Sequence, residues 1–142
     1  MKPKQQLFSF PMVFFQIISK IAQKSAKLMW KRLEGIDSQE AKMRQLLEMI
    51  FEESSKWLKK EDAFEFKYKH EIAELSFKEA HGELLSKIIE AGMNSGEFSK
   101  GNPELKLSFV RGVISESMRL LAANPDLEIG KETTESVLKL LK

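Results

Sequence analysis

The chain has 142 residues, of which 42% are hydrophobic and 31% charged, with a formal net charge of +2 and no cysteine. A chain this long can bury about 68–70% of the surface its unfolded form exposes around one core, so neither a disulfide nor a structural metal is needed for folding. The lack of cysteine excludes thiolate catalysis and zinc fingers, and two histidines, His70 and His81, leave little for any other metal site.

Charge is unevenly placed. Residues 1–36 carry seven Lys/Arg and one Glu, a net +6, while the remaining 106 carry sixteen basic and twenty acidic residues, a net −4. Most of the excess lies on one helical stripe, Lys20, Lys24, Lys27 and Lys31, which reads first as a solvated helix face and second as a contact for an anionic partner. Lys2 and Lys4 precede an apolar run from Leu7 to Phe15 that imitates a short secretory signal, yet no small-x-small cleavage site comes after it and the apolar pattern continues as one face of a helix. No stretch reaches the roughly 18–20 apolar residues of a membrane span. The expectation is a cytoplasmic chain with residues 1–11 as a leader.

Helical periodicity dominates the rest of the chain. The first helix is expected from Pro11 or Met12 to Glu34, with Ile18, Ile21, Ser25, Leu28, Met29 and Leu33 inward and Gly35 as its left-handed stop. The second opens at Asp37 or Ser38, with Asp37 and Glu40 spaced as an acidic capping box, and carries Met43, Leu46, Leu47, Ile50, Phe51, Trp57 and Leu58 on one face. A third, aromatic helix is expected around Phe64, Phe66, Tyr68, Ile72 and Leu75. These residues partly alternate like a strand, but the chain offers no partner strand. Ser76-Phe77-Lys78-Glu79 forms a capping box for a fourth, whose apolar face is Phe77, Ala80, Leu84, Leu85, Ile88 and Ile89 and which ends in Gly92-Met93-Asn94-Ser95-Gly96. Asn102-Pro103 opens a fifth helix to about Asn124, stopped by Pro125, with Leu105, Phe109, Val110, Val113, Ile114 and Leu121 on its apolar face. A last helix spans about Lys131–Leu141 with Val137, Leu138, Leu140 and Leu141. The fold class is all-α, a six-helix orthogonal or antiparallel bundle forming a single domain.

Catalysis is not expected. There is no Gly-rich phosphate loop, G-x-S-x-G elbow or H-E-x-x-H motif, and no histidine sits in a context suggesting a base beside a nucleophile. His70 and Glu74 at i, i+4 read as an ordinary helix-face pair, so no metal and no cofactor is expected. Ten Phe, seven Met and two Trp are numerous for this length. Such side chains fill cores, and they also line adaptable apolar cavities between helices. The last two helices use Leu, Val and Ile with the small residues Ser108, Gly112 and Ser115, a composition that suits close approach to a second subunit.

The segment Leu84-Leu85-Ser86-Lys87-Ile88-Ile89-Glu90-Ala91-Gly92-Met93-Asn94-Ser95-Gly96-Glu97-Phe98, then Asn102-Pro103-Glu104 and Gly112, resembles the C-terminal domain of tetracycline-repressor (TetR) family regulators. There a helix ends in a G-x-x-x-G-x-F turn, a D/N-P cap opens the next helix, and a glycine comes some ten residues on. Helix order and lengths extend the likeness over nearly the whole chain, but the family's three-helix DNA-binding head is missing, with only Lys4-Gln5-Gln6-Leu7-Phe8 faintly similar to its closing residues. The resemblance implies a homodimeric effector-sensing domain that acts in transcription regulation and touches DNA only through a head absent from this chain. Residues 12–94 would surround a cavity for an apolar or amphipathic small molecule, with Trp30, Phe51, Trp57, Phe64, Tyr68 and His81 as wall candidates. The helices within 102–142 would pair with a twin through Phe109, Val113, Ile114, Ser117, Leu121, Val137, Leu138 and Leu141. Two alternatives stay open: a homodimeric helical adaptor with no small-molecule site, and a membrane-surface protein that uses residues 1–36 as a basic amphipathic anchor.

Overall fold

The computed structural model describes residues 2–59 and 80–142. The described residues are helical with no strand, in five helices: α1 (Lys2–Leu33), α2 (Gln39–Leu58), α3 (Gly82–Ser95), α4 (Pro103–Ala123) and α5 (Gly130–Leu141). The described residues are therefore all-α, as their periodicity indicates. The expected aromatic helix around residues 64–75 and the Ser76–Glu79 capping box lie outside the described residues, so five of the six expected helices are seen.

One core joins the helices. α2 packs on α5, α3, α1 and α4, while α3 and α5 each also pack on α4. Met43, Leu46, Leu47, Ile50 and Phe51 of α2 meet Leu85, Ile88 and Ile89 of α3, Val110, Ile114 and Met118 of α4, and Val137, Leu138 and Leu141 of α5, all buried. The helical spacing of these residues places them on one stripe per helix, which is why α2 can serve as the central rod.

Two features of the first helix differ from expectation. α1 begins at Lys2, so the segment expected as a leader is part of the helix and Pro11 lies within it, not at its first turn. Its buried face is Ser19, Ala22, Ala26, Met29 and Leu33, whereas Ile21 and Leu28, expected inward, are 57% exposed. Two alanines share the buried face with Met29 and Leu33, while Ile21 and Leu28 fall on the far side.

Local chemistry sets the ends of the elements. Gly35 (φ 92°), two residues past the end of α1, takes the left-handed conformation that stops a helix. The cap of α2 is Ser38, not Asp37: its Oγ accepts from Ala41 N (3.2 Å) and donates to Glu97 Oε1 (2.8 Å). Glu97, on the turn after α3, also accepts from Gln39 N (3.1 Å), Glu40 N (3.3 Å) and Ser95 Oγ (2.8 Å). One carboxylate thereby satisfies two of the amides that the start of α2 leaves open and sits at the positive end of its dipole. These donors hold the Glu97 carboxyl down to about 2, with the Ser38 hydroxyl the largest influence.

The turn between α3 and α4 is tightly built. Gly96 takes φ 84° and its N–H bonds to Met93 O, closing α3. Phe98 N then donates to Gly92 O (3.0 Å) and the Phe98 ring, 2% exposed, lies across the Gly92 backbone. A Cβ on Gly92 would stand 2.1 Å from ring atom Cδ2, so only glycine fits. Asn102 Oδ1 accepts from Leu105 N (3.0 Å) with Pro103 in the first turn of α4, as its sequence indicates. Ser99 N and Lys106 Nζ donate to Leu141 O, at the end of α5 (2.9 and 3.4 Å), tying the last helix to this turn.

Candidate functional site

α1 and the start of α3 flank an open groove of about 730 Å³. Ala26 and Trp30 of α1 and Ala80 and Leu84 from the other side give it an apolar floor, while Lys24, Lys27, Lys31 and Lys87 set four ammonium groups against the single carboxylate of Glu83 at its edge. The lysines are in place because a 3.6-residue repeat stacks positions 20, 24, 27 and 31 on one side of α1.

Trp30 is the organising side chain. It is half-buried, and the Nζ atoms of Lys42 and Lys87 stand 5.8 and 5.3 Å from its ring centroid. Each lies within the range of a cation–π attraction. Lys87 is also 3.6 Å from Glu83, one turn away on α3. Apolar floor, aromatic wall and surplus positive charge together suit an amphipathic anion. None of the described lining residues supplies a hydroxyl, thiol or imidazole, and no group of three potential metal ligands occurs among the described residues.

A second groove, about 440 Å³, runs between α1 and α2 beside Leu28, Met29 and Met49. Three cations, Lys24, Arg32 and Lys56, face two carboxylates here, Glu52 pairing with Lys56 (3.2 Å) and Glu53 accepting from Ser25 (2.7 Å), so less surplus positive charge remains than in the first groove. The first groove is therefore the stronger candidate.

No protein-family model, curated protein or solved structure matches this chain.

The expected wall residues divide. Trp30 lines the larger groove. Phe51 does not: it is 4% exposed in the core, with its Cβ only 3.1 Å from where a Cβ on Gly130 would stand. His81 is buried directly ahead of α3 and lines neither groove, and burial pushes its pKa down to about 4, so it is neutral at pH 7. The Trp57 side chain, Phe64 and Tyr68 lie outside the described residues, as does the His70–Glu74 pair. Sequence reasoning misses Lys87, because nothing local signals that α3 brings it to Trp30.

The expected dimer contacts need a larger correction. Ile114, Ser117, Leu121, Val137, Leu138 and Leu141 are buried within the single chain. Ser117 Oγ donates to Val113 O (2.8 Å) and lies 3.3 Å from Thr133 Oγ1 of α5, so it joins α4 to α5 of the same chain. Val113 is half-buried, and Phe109 alone of the eight is exposed, at 51%. The outward side of α4 instead presents Leu105, Phe109, Gly112 and Leu120, with Leu140 exposed on α5. Among the described residues no atom lies within 4 Å of where a Cβ on Gly112 would stand, so none of them requires a glycine there.

Proposed function

We propose that this chain is the effector-binding and dimerisation domain of a TetR-like transcriptional regulator, and that its effector is an amphipathic anion held against Trp30. The carrying observation is the groove between α1 and α3, whose apolar floor is bordered by Lys24, Lys27, Lys31 and Lys87. A charged head among the lysines and an apolar tail over Ala26, Ala80 and Leu84 would each meet matching chemistry. Dimerisation is supported by the outward side of α4, where Leu105 and Phe109 are about half exposed and Gly112 leaves room for a second backbone to come close. Binding that favours one spacing of the paired chains over another would bias an attached DNA-binding head.

Calorimetric titration with dodecanoate, a simple amphipathic anion, tests the reading. Saturable binding is expected, weakened about tenfold or more by Trp30→Ala and by Lys87→Glu. Absence of saturable binding by a chain that still dimerises would replace the sensing role with that of a homodimeric adaptor.

A further inference from the structure

α1 has a second apolar face that stands exposed among the described residues. Val13, Ile17, Ile21 and Leu28 are 55%, 50%, 57% and 57% exposed. At 100° per residue they fall within about 80° of one another around the helix, on the side away from Ala22, Ala26, Met29 and Leu33, and extend about 22 Å along it. Lys20, Lys24, Lys27 and Lys31, all exposed, run beside them. α1 contains Lys2, Lys4, Lys20, Lys24, Lys27, Lys31 and Arg32 and no acidic residue.

The charge selects what covers this face. A second α1 would set Lys20, Lys24, Lys27 and Lys31 against the same four lysines beside a shared apolar seam, with no carboxylate from either helix to offset them. A nucleic acid would engage the lysines and leave four large aliphatic side chains against water. An anionic lipid surface meets both requirements: the aliphatics enter the acyl boundary and the ammonium groups meet the phosphates. No described helix is long and apolar enough to cross a membrane, so α1 would rest in the plane of the interface.

We infer that α1 binds the surface of an anionic phospholipid bilayer through Val13, Ile17, Ile21 and Leu28, with the row from Lys20 to Lys31 on the headgroups. This goes beyond the effector reading, with which it shares Leu28, Lys24, Lys27 and Lys31; Val13, Ile17 and Lys20 line neither groove, so substitutions there test the membrane reading alone.

The test is co-sedimentation of the full chain with vesicles of phosphatidylglycerol and phosphatidylcholine, and with vesicles of phosphatidylcholine alone. The chain is expected to pellet with the first and not the second, and to be released as salt rises. Val13→Glu combined with Ile17→Glu, and separately Lys20→Glu, should weaken binding, the double variant by about tenfold or more, with the helical circular-dichroism signal and melting temperature retained. Trp30→Ala should leave vesicle binding unchanged while weakening dodecanoate binding about tenfold or more. The inference is overturned by failure to pellet with phosphatidylglycerol vesicles, by a double variant that binds like the unaltered chain, or by retention on duplex DNA without any vesicle binding.

Discussion

Gly92→Ala separates the packing account of the α3–α4 turn from helix propensity by the sign of its effect. Gly92 lies in the last turns of α3, where propensity alone favours alanine by up to about 1 kcal/mol. The new methyl, however, would sit 2.1, 2.4 and 2.8 Å from three atoms of the Phe98 ring. These separations are far below contact distance, and Phe98 has no room to retreat inward because it is already 2% exposed. Overpacking of this kind costs about 1–3 kcal/mol, and ejecting the ring instead forfeits a buried phenylalanine at about 3 kcal/mol. After the propensity gain, a net loss of about 2 kcal/mol is expected, lowering the melting temperature by about 4–8 °C for a chain of this size. Urea unfolding of Gly92→Ala, Phe98→Ala and the double variant reads the coupling directly. In the Phe98→Ala background, adding Gly92→Ala should be neutral or stabilising. A single Gly92→Ala variant as stable as the unaltered chain, or more so, would refute the reasoning.

Other substitutions test the remaining contacts. Glu97→Gln should destabilise the chain at pH 7. Because the Glu97 carboxyl lies at about 2 in the folded chain, against 4.5 unfolded, its contribution is full above pH 4.5 and is lost as pH falls toward 2, so urea unfolding across that range should show the gap closing. His81 is depressed to about 4 from 6.5, which makes the folded chain lose stability as pH falls from 6.5 toward 4, by up to about 3 kcal/mol. Denaturation midpoints of His81→Leu should be flatter over that interval than those of the unaltered chain. Asn102→Ala removes the acceptor for Leu105 N and should cost about 1 kcal/mol in urea unfolding, with Asn102→Asp restoring most of it. Phe109→Glu, on the exposed side of α4, should shift sedimentation velocity toward the single chain while leaving the unfolding of the isolated chain little changed.

Local features are the most legible in this sequence. Gly35, Gly96 and Asn102-Pro103 mark helix ends through their own backbone chemistry, and each does so in the structure. The residues that carry the family resemblance, Gly92, Gly96, Phe98, Asn102 and Pro103, all have a mechanical role in one turn. Contacts between distant parts of the chain are less accessible. The acid that caps α2 is Glu97, 59 residues from Ser38, whereas neighbouring positions alone point to Asp37 and Glu40. Side-chain size alone also rotates α1, because it favours the largest aliphatics as the inward face. The helix in fact turns Ala22 and Ala26 to the core and leaves Ile21 and Leu28 outside. α4 and α5 are apolar on more than one side, and periodicity does not say which side meets the same chain. Six residues expected to meet a twin are consequently spent inside. Trp30 and the lysine stripe of the candidate site are visible in the sequence, whereas Lys87 reaches Trp30 only because α2 packs on both α1 and α3.

Native mass spectrometry of the purified chain reads dimerisation and effector retention in one measurement. A particle of twice 16.4 kDa is expected, carrying additional mass from a retained small molecule, which Trp30→Ala releases and Phe109→Glu leaves bound to a single chain. A bare particle of 16.4 kDa at every concentration would contradict both the dimer and the effector.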